Sequence, residues 1–152
     1  MTDTDARYPI GPFRLEGEVT PAQQTAWIDE IAALPGLLRA AVTDLSPARL
    51  DTPYRPGGWT VRQVVHHLPD SHLNAYCRCK LALTEREPVV KPYDEAAWAM
   101  LPDSQQTPPA VSLALLDALH LRWVVLLRAL APAELSRAVR HPEMGMLSVE
   151  TL

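Results

Sequence analysis

The sequence predicts an all-α fold, an up-down four-helix bundle with long connections, on three observations. Apolar residues recur at helical spacing in long stretches, prolines and a capping box mark the ends of those stretches, and no segment alternates apolar and polar residues over a convincing strand length. The whole chain, 1–152, reads as a single domain.

Taken in order, residues 1–20 carry Pro9, Gly11, Pro12 and Gly17 and read as an extended arm. From Pro21 to about Val42, Trp27, Ile31, Leu34 and Leu38 form a helical stripe, with Pro35 inside it expected to bend or split the helix. Ser46-Pro47-Ala48 offers an N-cap followed by proline at the first helical position, so a single turn is expected. Residues Thr52 to Gly58 form a loop. The next helix starts at Thr60, where Thr-x-x-Gln to Gln63 makes a capping box, and runs to about Thr84. Pro88 and Pro92 open a long connection to Pro109, with a helical turn near Asp94–Met100. A further helix spans about Pro109–Leu130 and ends at Pro132. The segment Ala133–Leu147 is mixed, with a turn near Pro142–Gly145. Ser148 to Leu152 reads as the N-cap and first turn of a fourth helix, expected to be incomplete in this chain, with Glu150 near its positive end.

At 152 residues the chain is long enough to bury roughly 70% of its unfolded surface. Hydrophobic residues make up 47% and charged residues 21%, and the net charge of −4 comes without a basic run, so no nucleic-acid or anionic-membrane footprint is expected. The apolar stretch Leu113–Leu130 is interrupted by Asp117, His120, Arg122 and Arg128, which marks a buried helix rather than a membrane span. The N-terminus has acids where a signal peptide needs positive charge. Cys77 and Cys79, two apart on a helix, point away from each other, and free thiols fit a reducing cytoplasm.

The segment Trp59-Thr-Val-Arg-Gln-Val-Val-His-His-Leu-Pro-Asp-Ser-His72 concentrates three histidines. At about 100° per residue, Val61, Val65, Leu68, His72, Tyr76, Cys79 and Leu83 share one apolar stripe, which makes His72 a hydrogen-bonded core histidine. His67, Ser71, Asn74 and Arg78 form a polar line beside it. His66, Asp70, Leu73 and Cys77 lie mostly on the far side, so His66 is expected to be exposed and cannot share an ion with His67. His120 reads as a helix-interface histidine and His141, beside Pro142, as solvated. A metal site of the zinc type needs two further nitrogen ligands beside His67 and an open position for water. No His-x-x-x-His pair, Gly-x-Ser-x-Gly elbow or glycine-rich phosphate loop occurs.

Several motifs are similar to those of one known family. They are Arg7-Tyr-Pro-Ile-Gly11, Tyr54-Arg-Pro-Gly-Gly-Trp-Thr-Val-Arg-Gln63, Val65-His-His-Leu68, Asp70-Ser-His-x-Asn-Ala-Tyr76, Lys80-Leu-Ala-Leu-Thr-Glu85 and Lys91-Pro-Tyr93. They continue with Leu101-Pro-Asp-Ser104, His120-x-Arg-Trp-x-Val-Leu-Leu127 and His141-Pro-Glu143. In order and spacing the chain resembles the YfiT branch of the DinB superfamily along nearly its whole length. The resemblance implies a dimeric four-helix bundle that holds one divalent metal, zinc or nickel, on three histidines, and acts as a metal-dependent hydrolase. Relatives in that branch are thiol S-transferases that use a low-molecular-weight thiol such as bacillithiol. The family's first metal histidine matches His67. The other two belong to a His-x-x-x-His pair on the fourth helix, downstream of the position matching Leu152.

The expected activity is attack of a metal-activated water or thiol on an electrophilic small molecule. Ser71, Asn74 and Arg78 are the candidates for lining the pocket or orienting His67, Tyr93 and Trp98 for covering its mouth, and His120 and Arg122 for further pocket positions. Pro69 departs from the family, which commonly has a small helix former there. Proline removes the amide that would bond the Val65 carbonyl, at about 3 kcal/mol in a regular helix, and a kink there would tilt His67. The competing expectation is a metal-free interaction module, in which the absent ligands leave a dimeric bundle without catalysis.

Overall fold

The structure, a computed structural model, describes residues 8, 10, 11, 15, 17 and 19–152. Most of the expected N-terminal arm lies outside the described residues. In order the elements are α1 (Pro21–Val42), α2 (Pro47–Leu50), α3 (Val61–Thr84), α4 (Glu95–Ala99), α5 (Pro102–Gln106), α6 (Pro109–Arg128), α7 (Pro132–Leu135), β1 (Ala138–His141) and β2 (Gly145–Ser148).

The long helices begin where the sequence places them, because their first amides are satisfied locally. Thr20 and Gln23 form a reciprocal capping box on α1, and Thr60 and Gln63 form one on α3. Gln63 also reaches across to donate to the Ala99 carbonyl at 2.8 Å, tying the start of α3 to α4. Both internal prolines are buried, and α1 and α3 run through Pro35 and Pro69 as continuous helices. Neither helix is split as Pro35 led one to expect.

Helix α6 packs against both α1 and α3 and forms the centre of the bundle. Leu116 is fully buried, and Leu113, Leu119, Trp123 and Val124 sit beside it on the same face. Each such side chain contributes about 1.5–3 kcal/mol through burial. Ion pairs fasten the outer edges of the α1–α6 contact, Arg39 with Asp117 and Arg128 with Asp29. Among the described helices α6 has the length and apolarity of a membrane-crossing helix, a composition that a core helix shares.

Three elements depart from the sequence expectations. Helix α5 forms inside what reads as plain connection, with Pro102 at its first position and Ser104 buried against the Trp98 carbonyl. Helix α7 is a single turn after Pro132. The mixed segment is an antiparallel hairpin, with Ala138 opposite Ser148 and His141 opposite Gly145. Gly145 has φ +79, a left-handed conformation that suits glycine at the end of this turn. The hairpin is anchored on the connection after α3, where the Arg140 amide donates to the Pro88 carbonyl and the Val90 amide to the Arg140 carbonyl. Val139 is fully buried there. After β2 the Leu152 amide bonds the Ser148 carbonyl at 3.0 Å, an i, i+4 bond, so residues 149–152 form a single turn starting from Ser148.

Candidate functional site

The three histidines of α3 occupy three different environments. His66, expected to be exposed, is buried at 4% exposure because the α5–α6 junction covers that side of the helix. Its Nε2 donates to the Thr107 carbonyl at 3.0 Å, which leaves Nδ1 as a lone pair that accepts from the Ser112 hydroxyl at 2.7 Å. Burial holds its pKa below the ordinary histidine value, against the favourable Thr107 carbonyl. The helical wheel placed His66 correctly on the side away from His67. It could not see that α5 and α6 would cover that side.

His72 is the core histidine the stripe predicted. Its ring stacks parallel to that of His120, with 4.9 Å between centroids, and its Nδ1 lies 2.7 Å from His120 Nε2. His120 Nδ1 is 2.6 Å from the Ile31 carbonyl, which can only accept, so His120 donates there. His120 is thus an interface histidine joining α1, α3 and α6, not a wall of the His67 pocket. Burial lowers the pKa of both, and with the nearby His120 and His67 charges it pushes His72 down to about 4.

His141, expected to be solvated, is buried at 5% exposure. The turn at Pro142–Gly145 wraps over it, and its Nδ1 accepts from the Glu143 and Met144 amides at 3.3 Å each.

His67 differs from all four. It is half-buried, its ring meets the edge of Trp59 at 4.8 Å, and it has no hydrogen bond to any described residue. Both of its nitrogens are available to a ligand. Around it the polar line is partly assembled. Ser71 lies beside the Tyr93 hydroxyl without completing a hydrogen bond to it, and that hydroxyl is buried without a partner. Burial raises the Tyr93 pKa, keeping the group a donor. The Tyr93 ring rests on Trp98 at 4.6 Å. Asn74 is turned back on its own helix, donating to the Asp70 carbonyl at 2.9 Å, and Arg78 donates to the Lys91 carbonyl at 3.4 Å. Arg122 stands apart, its guanidinium 5.8 Å from the Tyr76 ring centroid.

Two neighbours of His67 are new to the site. Trp59, in the loop before α3, packs its indole against the imidazole. Asp70, three residues on from His67, lies close enough for the two charges to interact. Burial raises its pKa, the Asp103 charge adds to this, and His67 and His66 oppose it. The i, i+3 spacing of His67 and Asp70 was the signal in the sequence for this pair.

As a metal site this set is not complete. Among the described residues no three His, Cys, Asp or Glu side chains converge to hold an ion. His67 is a single free imidazole, with the Asp70 carboxylate one helical turn further along α3.

Comparison with known proteins settles the lineage. The profile of the DinB superfamily matches residues 22–152. The chain belongs to the DinB superfamily. Among its DinB relatives is a protein of Oceanobacillus iheyensis, 54% identical over 143 residues that cover 94% of this chain and 83% of the relative. Another, from Bacillus mycoides, is 56% identical over 141 residues, 93% of this chain and 81% of the relative. Both bear the name "Putative metal-dependent hydrolase". In structure the chain matches YfiT from Bacillus subtilis with a TM-score of 0.93 and 46% identity, over 96% of this chain and 84% of YfiT. YfiT is described as "a probable metal-dependent hydrolase with an unusual four-helix bundle topology". The all-α bundle expected from the sequence is therefore the fold of this DinB chain, with a small hairpin added.

Proposed function

We propose that this DinB domain is part of a metal-dependent hydrolase in which His67 is one metal ligand and the remaining donors come from outside the described residues. The observation that carries the reading is the contrast among the five histidines. Four are tied into the fold by hydrogen bonds, and His67 alone has both nitrogens free at a partly open, polar surface. The kinship with proteins named as hydrolases of this type supports it.

The chain's own residues have definable parts in this reading. Trp59 restricts the rotation of the His67 ring, and the Asp70 carboxylate beside it favours a positively charged partner. The Tyr93 hydroxyl and Ser71 offer hydrogen bonds to a bound small molecule, with Trp98 backing the Tyr93 ring. The metal is zinc or nickel in this proposal. The finer version, transfer to a low-molecular-weight thiol of the bacillithiol kind, and a homodimeric assembly rest on the family resemblance.

The test is a nickel and zinc titration of the intact chain and of its His67→Ala variant, followed by calorimetry. A lone imidazole gives weak binding, and the variant weakens it by about tenfold or more. Equal binding by the two proteins would overturn the assignment of His67. The second reading, a metal-free interaction module, is favoured by the lack of a three-donor group among the described residues and by the exposed apolar residues Leu37, Leu121 and Val125 on α1 and α6. It predicts no metal binding by the intact chain or by the variant.

A further inference from the structure

Helix α1 carries a Pro35-Gly36 step inside its 22 residues. Proline at 35 has no amide to offer the Ile31 carbonyl four residues back, and its ring crowds that carbonyl. Gly36 is exposed, with open space where a side chain would stand. Kinks gather at such residues, yet α1 is continuous.

The missing bond is supplied by another helix. His120, on α6, places Nδ1 at 2.6 Å from the Ile31 carbonyl, which can only accept, so Nδ1 is the protonated nitrogen. The Nε2 of neutral His120 is then a lone pair, and the Nδ1 of His72, 2.7 Å away, donates to it. This contact and the stacking of the two rings hold the His120 imidazole with its N–H toward α1. Both His120 and Pro35 are buried. Left without a donor in such a place, a carbonyl costs about 1–3 kcal/mol.

The same step divides α1 by what its halves pack against. Before it, Ile31 joins the core that contains Cys79 and Trp123. There Trp27, Ile28 and Ile31 wall a cavity of about 140 Å3, with Cys79, Trp123 and Leu127 among the facing residues. After it, Leu38 and Val42 belong to a separate core with Val65 and Leu113. The first half is also tied to α6 through Asp29 and Arg128, but that ion pair is exposed and contributes little.

We propose that Pro35-Gly36 is a hinge, that His120 is the latch that keeps it straight, and that residues 21–34 form a flap over the cavity at Cys79 and Trp123. His120 is a positioning residue that acts through the Ile31 carbonyl. With the latch made, the flap continues the line of α1 and Cys79 stays buried. With it broken, the flap bends away at Pro35-Gly36 while residues 37–42 remain on their own core. The device goes beyond the metal reading and does not depend on it.

The Cys79 thiol reports the flap, since the residue is 1% exposed with the flap in place. The test uses the intact chain carrying Cys77→Ser, which removes the exposed thiol. In this parent Cys79 is expected to resist a thiol reagent under native conditions. His120→Leu fills the space without supplying a donor. Its Cys79 is expected to label about tenfold faster while the chain stays helical by circular dichroism, the effect of one buried carbonyl left without a partner. Adding Pro35→Ala restores an amide that bonds the Ile31 carbonyl, and it erases the increase. A loss of packing alone would not be reversed in this way. Labelling unchanged by His120→Leu, or raised equally with and without Pro35→Ala, would overturn the proposal. If His120→Leu does not fold, hydrogen exchange in the unsubstituted chain decides the matter. The amides of residues 25–34 are then expected to exchange as one unit, faster than those of residues 39–42, and Pro35→Ala is expected to merge the two. Exchange of all of α1 as a single unit in the unsubstituted chain contradicts the hinge.

Discussion

His66 and His67 are adjacent in the chain and serve opposite ends. His66 points toward α5 and α6, where the Thr107 carbonyl and the Ser112 hydroxyl use both of its nitrogens. His67 points to the polar side, where the edge of Trp59 is its neighbour and neither nitrogen is bonded. One step of about 100° around the helix separates a structural imidazole from one free to bind a ligand. Histidine content alone is therefore a poor guide to a metal site; the hydrogen-bond partners decide.

The comparison breaks first on the fastened side. His120→Ala should cost about 3 kcal/mol in urea unfolding, because it opens a cavity and strips partners from His72 and the buried Ile31 carbonyl. His66→Ala should cost about 2 kcal/mol, since it leaves Ser112 and Thr107 without their partner. His67→Ala should stay within about 0.5 kcal/mol of the parent, as a substitution that breaks no internal bond. If His67→Ala destabilises the chain as much as His66→Ala does, the two histidines are not different in kind.

Acid sharpens the same contrast. His66, His72 and His120 all have pKa values lowered from 6.5 in the folded state. The unfolded chain then binds more protons below that value, so their contribution is complete above pH 6.5 and is lost as pH falls toward about 4, where folded His72 titrates. Asp70, with its raised pKa, works in the opposite sense, destabilising the fold as it ionises above the unfolded value of 3.8. Unfolding free energy measured across pH 4–7 should fall toward acid, and His72→Asn should flatten the slope. The smallest effect concerns the thiols. Exposed Cys77 should react with a thiol reagent in the native chain, and buried Cys79, its thiol pushed up to about 11, should react only on unfolding.

Much of this was legible in the sequence. The capping boxes at Thr20 and Thr60 are local, so the helix starts follow from a few neighbouring residues. The core stripe of α3 is periodic, and His72 sits in it as its register requires. What the sequence could not convey are contacts between distant segments. Burial of His66 depends on Thr107 and Ser112, some forty residues away, and periodicity on α3 carries no information about them. The hairpin escaped notice because four residues per strand are too few for alternation to stand out, and its burial of His141 followed from the turn. Pro35 promised a bend or a split, yet α1 runs through it as one helix, since a buried proline within a packed helix is tolerated when its surroundings hold the backbone.

The measurement that reaches the central claim most directly is a long-range proton–nitrogen NMR spectrum of the five imidazoles in the metal-free chain near pH 7. The bonds seen here predict His66 and His141 protonated at Nε2, His72 and His120 protonated at Nδ1, and His67 exchanging between both forms as in water. A His67 locked in one tautomer, or a His66 exchanging between two, would contradict the division between fastened and free histidines on which the metal assignment rests.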